Sequence, residues 1–294
     1  MFTFSLFRFF EFFLVRLGKT FRKNFFLFLA WGAYHVDRKH RRIIRKNLRF
    51  AYGETIDEAF MERIERYCYN NLLLNFMQVV ENRRLDVDTV LQKVTMEPSH
   101  IVDLAKESGR PIVFATGHFG RWELAGAVSS ALIKPTMIVY KEMNNLHFQE
   151  YVTDSRSRFR IKSANKHGAV KHLVKQLKEG LSISLLIDTN MSVNDGVVVD
   201  FFGKPTRTTA TTAYLARKFN ALIIPAFLFT DDEEHFTLKF YDPIDVARSD
   251  DEAADIREAT QKQVAALEDA VRRYPQLWFW CHRRWKTDHP EIYR

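Results

Sequence analysis

Residues 111–127, PIVFATGHFGRWELAGA, decide how this 294-residue chain is read. An apolar run from Pro111 to Thr116 ends at Gly117-His118, and after a short turn Trp122-Glu123-Leu124-Ala125 opens a helical pattern. The stretch reads as strand, turn, helix. On one continuous helix His118 and Glu123 would point about 140° apart, at ~100° per residue. Across a strand–helix junction they can converge. A carboxylate on one imidazole nitrogen fixes the tautomer and raises basicity, leaving the other nitrogen to take a proton from an alcohol. Gly117 and Gly120 let backbone and substrate approach closely. The helix start offers free N–H groups to an oxyanion or a phosphate. A lone histidine is more often a packing or surface residue than a base, so the pair must be weighed against the rest of the chain.

Outward from this stretch, strand-like runs at 112–115, 136–140, 183–187, 222–229 and 236–240 alternate with helical patterns at 122–132, 146–160, 169–179, 209–219 and 252–274. The alternation predicts an α/β fold, a central, largely parallel sheet flanked by helices. Upstream, 56–82 reads as one long helix and a further helix starts at Pro98 and stops near Gly109; 83–94 has no clear pattern.

The amino-terminal end differs in kind. Eleven of the 26 Phe precede Ala30. On a helical wheel Arg8, Glu11, Arg16, Lys19, Arg22 and Lys23 fall within a sector of about 140°, with Phe9, Phe10, Phe13, Leu14 and Leu17 outside it. Neither apolar segment reaches the ~20 residues of a membrane span. The pattern predicts an interfacial helix with a basic polar face, although an ordinary amphipathic core helix has the same periodicity. The cation run from Arg38 to Arg49 follows, as expected beside an anionic, cytoplasmic leaflet. The organisation expected is a membrane arm over 1–53 and an α/β domain over 54–294.

The net charge of +8 points to anionic partners. A Phe-loaded terminus favours a membrane surface over nucleic acid, and no nucleic-acid partner is expected. Cys68 and Cys281 lie far apart without metal-ligand spacing, so neither a zinc site nor a disulfide scaffold is expected. No GxSxG elbow occurs, which favours direct transfer to an acceptor over a covalent acyl-enzyme.

His118-Phe119-Gly120-Arg121-Trp122-Glu123 resembles the HX4E signature of the bacterial lipid A late acyltransferases, within the lysophospholipid acyltransferase superfamily. The likeness continues in order. Tyr140-Lys141-Glu142-Met143-Asn144-Asn145 resembles the family's YRPxNN segment, and Arg156-Ser157-Arg158 its RxR element. Asp188-Thr189-Asn190 resembles its DQD/DQN turn. Phe201-Phe202-Gly203-Lys204-Pro205 with Thr208-Thr209 resembles its FFG-then-Thr stretch. Leu277-Trp278 with His282-Arg283-Arg284-Trp285-Lys286 resembles its closing LWxHRRFK motif. Arg121 stands where that family has Asn, and Lys141 where it has Arg.

The resemblance implies an enzyme on the cytoplasmic face of the inner membrane. It would move a fatty acyl chain from acyl carrier protein, or another acyl thioester, to a hydroxyl of a lipid A precursor or related glycolipid, without metal or redox cofactor. It further implies His118 as general base, Glu123 as the residue that orients it, and required roles for Arg156 and Asp188. Read by itself, Arg156 is either part of a solvated basic face or a grip on phosphate. Asp188 is either a turn cap or a partner for Arg156 or the acceptor. Gly120, Arg121, Lys141, Asn145, Arg158 and Arg207 are candidate substrate contacts, Arg207 within an expected hydroxyl-capped helix start at 206–209. A lysophospholipid or ornithine-type lipid as acceptor, or a lipid-binding module without turnover, remain the alternatives.

Overall fold

The structure, a computed structural model, describes residues 2–294, with side chains from Phe4 onward. Three helices open the chain: α1 (Phe2–Leu14), α2 (Lys19–Val36) and α3 (Arg38–Tyr52). The long α4 (Glu58–Arg84) and short α5 (Val87–Leu91) follow. Then come β1 (Val94–Glu97), α6 (Ser99–Glu107), β2 (Ile112–Thr116), α7 (Trp122–Leu132), β3 (Thr136–Tyr140) and α8 (Leu146–Ser157). The chain continues through β4 (Lys162–Asn165), α9 (Ala169–Lys178), β5 (Ser182–Leu186), β6 (Gly196–Phe201) and β7 (Lys204–Thr209). Next are α10 (Thr211–Phe219), β8 (Leu222–Phe229), β9 (Phe236–Phe240) and α11 (Glu252–Arg273).

Seven strands form one sheet in the order β1-β9-β8-β2-β5-β3-β4. Every neighbouring pair is parallel except β8 with β9. The expected α/β sheet is therefore present. The short segment 83–94, which has no clear pattern in sequence, supplies α5 and the start of an edge strand. The central strand β8, LIIPAFLF, is buried at all eight positions because helices cover both faces of the sheet. Each fully buried Leu, Ile or Phe contributes about 1.5–3 kcal/mol relative to exposure. The residues 206–209 are not a helix start: Thr206 to Thr209 lie in β7, which pairs antiparallel with β6, and the helix begins only at Thr211. Alternating burial along β7, with Thr206 and Thr208 inward, is the two-residue period of a strand.

The amino-terminal helices are docked on the domain. Ala30, Tyr34, Ile44 and Leu48 belong to the same buried cluster as Val113, Ile183 and Ile223 of the sheet. α3 starts where Asp37 caps the His40 N–H at 3.1 Å, and α4 where Asp57 caps the Phe60 N–H at 2.7 Å. In α1 the charged side turns inward. Glu11 is fully buried, held by Arg84, Arg8 and the Tyr151 hydroxyl. Phe9, Phe10, Phe12 and Phe13 face out, continued by Phe21, Phe28 and Trp31 from α2. Among the described residues no helix is long and apolar enough to cross a membrane.

Candidate active site

β2 and β5 are adjacent and parallel, with Thr116 opposite Leu186. The Ile187 N–H continues the ladder to the Thr116 carbonyl at 2.8 Å. This register carries Gly117-His118 and Asp188 off the carboxyl ends of neighbouring strands side by side, the place where α/β sheets bind ligands. Asp188 Oδ1 lies 3.0 Å from His118 Nδ1, and its Oδ2 accepts the His118 backbone N–H at 2.7 Å. The Trp278 indole N–H donates to the same Oδ2 at 3.0 Å. Asp188 is buried; the His118 side chain is 27% exposed, and no described residue hydrogen-bonds its Nε2. The imidazole is flanked by the rings of Trp122 and Phe279.

Burial alone would depress the His118 pKa, but the Asp188 charge and hydrogen bond, with the charge of Glu123, outweigh it and hold the pKa above its ordinary value. Burial alone would raise Asp188. The opposite charge of His118 and the three donated hydrogen bonds instead hold its carboxyl far below the usual range.

Glu123 does not hold the imidazole. Its two carboxylate oxygens accept from Arg156 Nε at 3.0 Å and Nη2 at 2.7 Å, a bidentate pair between the first turn of α7 and the last turn of α8. The expectation of a His118–Glu123 pair is thus corrected: strand register supplies the closer carboxylate, and the helix turns Glu123 toward Arg156. Its charge still acts on His118. Asp188, read from sequence as a turn cap or a partner of Arg156, contacts His118. Burial opposes the Arg156 charge, but Glu123 overcomes it and raises the pKa.

The profile described as bacterial lipid A biosynthesis acyltransferase matches residues 1–287. The chain belongs to the bacterial lipid A biosynthesis acyltransferase family. It is similar to the phosphatidylinositol mannoside acyltransferase of Mycolicibacterium smegmatis, 26% identical over 188 residues, 63% of this chain and 60% of that protein. The match therefore spans only about three fifths of the mycobacterial relative's length. It is also similar to lipid A biosynthesis acyltransferase 2 of Shigella flexneri, 20% identical over 254 residues, 86% of this chain and 79% of that protein.

The other motif positions of this acyltransferase family member sort by contact. Gly120 has φ +56, and a Cβ there would sit 2.1 Å from the Leu228 carbonyl oxygen, so only glycine fits. Its carbonyl accepts from Asn75 and its N–H donates to Leu277, tying the loop to α4 and the closing segment. Arg121, expected to face the acceptor, is 1% exposed and turned inward onto Glu233 in the β8–β9 turn, with Nε–Oε2 3.1 Å. Burial lowers the Arg121 pKa and raises that of Glu233. Asn145 caps α8, accepting from the His147 and Phe148 N–H groups. Arg158 donates to the Asn82 carbonyl at 2.7 Å. Arg207 pairs with Asp288 across the closing segment. Lys141 is exposed at the end of β3, at the His118 end of the sheet.

Two contacts to the site were not assigned from sequence. Trp278 orients Asp188 through its indole N–H, and its position in the closing motif was the only signal. His282 Nε2 accepts the Asn190 N–H at 2.8 Å, which leaves Nδ1 as the protonated nitrogen in the neutral ring. Burial lowers the His282 pKa despite the nearby Asp188. Among the described residues no group of three His, Cys, Asp or Glu converges as a metal site would.

Proposed function

We propose that this protein is a membrane-associated O-acyltransferase that moves a fatty acyl chain from an acyl thioester, acyl carrier protein in the first instance, to a hydroxyl of a lipid A precursor or related glycolipid. Family membership and the acceptors named for its relatives support a glycolipid acceptor. One observation carries the mechanism: His118 Nδ1 is engaged by Asp188 while no described residue hydrogen-bonds Nε2. Asp188 fixes the tautomer with the proton on Nδ1, so Nε2 accepts the proton of the acceptor hydroxyl as its oxygen attacks the thioester carbonyl. The thiolate leaves and takes the proton back from the imidazolium.

The start of α7 has no side-chain cap, so its first N–H groups are available to the carbonyl oxygen as negative charge develops there. The Glu123–Arg156 pair fixes α7 to α8 beside the base. The outward Phe face of α1 and α2 supports attachment to a bilayer surface, and Arg38, Lys39 and Arg42, exposed beside Trp31 and Val36, favour an anionic, cytoplasmic leaflet.

The test is incubation of the purified protein with acyl-loaded carrier protein and a panel of lipid acceptors, read by mass spectrometry. Wild-type protein should add one acyl group to a glycolipid acceptor, and His118→Ala should add none while still folding and binding anionic vesicles. Wild-type-like transfer by His118→Ala would sink the mechanism.

A further inference from the structure

We propose that the lysine-rich face formed by β4 and α9 is the docking surface for the acidic acyl carrier protein that delivers the acyl group, an inference that rests on the thioester-donor reading above. Between residues 162 and 178 the chain carries five lysines and neither Asp nor Glu. Lys162, Lys166, Lys171, Lys175 and Lys178 are all exposed. Among the described residues only Lys175 of the five has an ion partner, Glu179 at 3.9 Å. Many cations elsewhere are matched: Arg41 and Arg45 share Glu65, Arg217 meets Glu252 and Asp255, and Arg84 meets Glu11.

Local stability accounts for only part of this run: Lys175 and Lys178 stand in the last turn of α9, where the helix dipole favours a cation. Lys162 on an edge strand deters strand addition, but the others lie beyond the strand. Lys171 stands in the first turn of α9, where no acidic residue is present and where the helix dipole favours an anion over a cation. Val170, 59% exposed, places an apolar side chain among the cations, as a contact surface for an amphipathic acidic helix would.

The location fits the donor. β4 runs parallel to β3, β3 to β5 and β5 to β2, so all four strands end on the side where His118 and Asp188 stand. The Lys166 N–H bonds the Tyr140 carbonyl, which sets the start of this face at the same rim as Lys141. Three strand spacings of ~4.8 Å separate β4 from β2, so the rim end of the surface, at Lys166, lies on the order of 14 Å sideways from the base's strand, with Lys175 and Lys178 further back along α9. A carrier seated there would reach His118 with its flexible thioester arm.

The aromatic arm lies elsewhere. α1 and α2 pack on α4 and α8, whereas α9 packs on β3, β4 and β5 and against α10. The arm presents a row of exposed Phe near its cations, whereas Val170 is an isolated apolar side chain among the α9 lysines, which match a soluble anionic partner.

The test is the triple variant Lys166→Glu, Lys171→Glu, Lys175→Glu, with circular dichroism and thermal melting to verify the fold. Binding of unloaded holo-acyl carrier protein should weaken about tenfold or more, and wild-type binding should fall steeply with salt. With acyl-carrier protein as donor, KM should rise by about the same factor at unchanged kcat, while transfer from acyl-coenzyme A should stay at the wild-type level. Wild-type protein that does not bind the carrier, variant binding equal to wild type, or equal losses with both donors would overturn the docking surface. Absence of transfer from either donor by wild-type protein would instead overturn the acyltransferase reading, with the binding measurement still deciding the surface.

Discussion

Asp188 and Glu123 both act on His118, but the pairs they form leave different things open. Asp188 spends its two oxygens on the imidazole, one backbone N–H and the Trp278 indole, and no described residue hydrogen-bonds the far side of the imidazole. Glu123 and Arg156 close on each other through two hydrogen bonds. The first arrangement holds a base with one working nitrogen. The second is a clamp between two helices whose field reaches the base. Five residues of sequence separation favoured Glu123 as partner; the hydrogen-bond ladder of two neighbouring strands favoured Asp188, seventy residues away.

The largest effect is expected at Asp188. Asp188→Asn should lower kcat by about 10²–10⁴-fold, the range of a general base that loses its tautomer and field, with the fold retained by circular dichroism. A smaller clamp effect follows at Glu123. Glu123→Gln leaves the mostly buried Arg156 without its counter-charge and should cost about 3–5 kcal/mol in chemical denaturation. Adding Arg156→Met should return most of that stability but not the rate, because the field on His118 remains lost; a double mutant as unstable as the single one would show that the pair is not a clamp. The smallest change distinguishes a cap from a substrate contact. Asn145→Ala should cost about 1 kcal/mol of stability and leave acceptor KM unaltered in steady-state assays.

Much of the fold is legible in the sequence because period and punctuation coincide. The runs at 136–140, 222–229 and 236–240 and the helix at 122–132 match β3, β8, β9 and α7 residue for residue. What escaped is the apolar β6, GVVVDF, together with strands that are short or polar. β4 and β7 carry Lys, Ser, Asn and Thr, and their pairing rather than an apolar pattern makes them strands. The sequence names His118, Glu123, Arg156 and Asp188, which the fold brings together, but not how they pair. Which carboxylate meets His118 depends on strand order β2-β5, a non-local fact. Arg121 shows the same limit: nothing near it in sequence announces Glu233, which reaches it from the β8–β9 turn. Glu11 is a further case, since a charge on an amphipathic wheel looks solvent-facing until Arg84 and Tyr151 are known to wait for it.

Proton linkage has opposite signs at the two members of the dyad. His118 has a raised folded pKa, so its contribution to stability is complete below about 6.5 and is lost as pH rises through the folded value. Asp188 is held low, so its contribution is present above about 3.9 and is lost as pH falls through its depressed value. Transfer needs the neutral imidazole and should rise with pH through the raised His118 pKa.

The most direct measurement is therefore the titration of His118 by NMR in wild-type protein, Asp188→Asn and Glu123→Gln. The His118 pKa should fall most in Asp188→Asn, which removes the charge in direct contact and one of the two accepting oxygens, and less in Glu123→Gln, which removes a more distant charge. A larger fall in Glu123→Gln than in Asp188→Asn would contradict the assignment of Asp188 as the partner of the base.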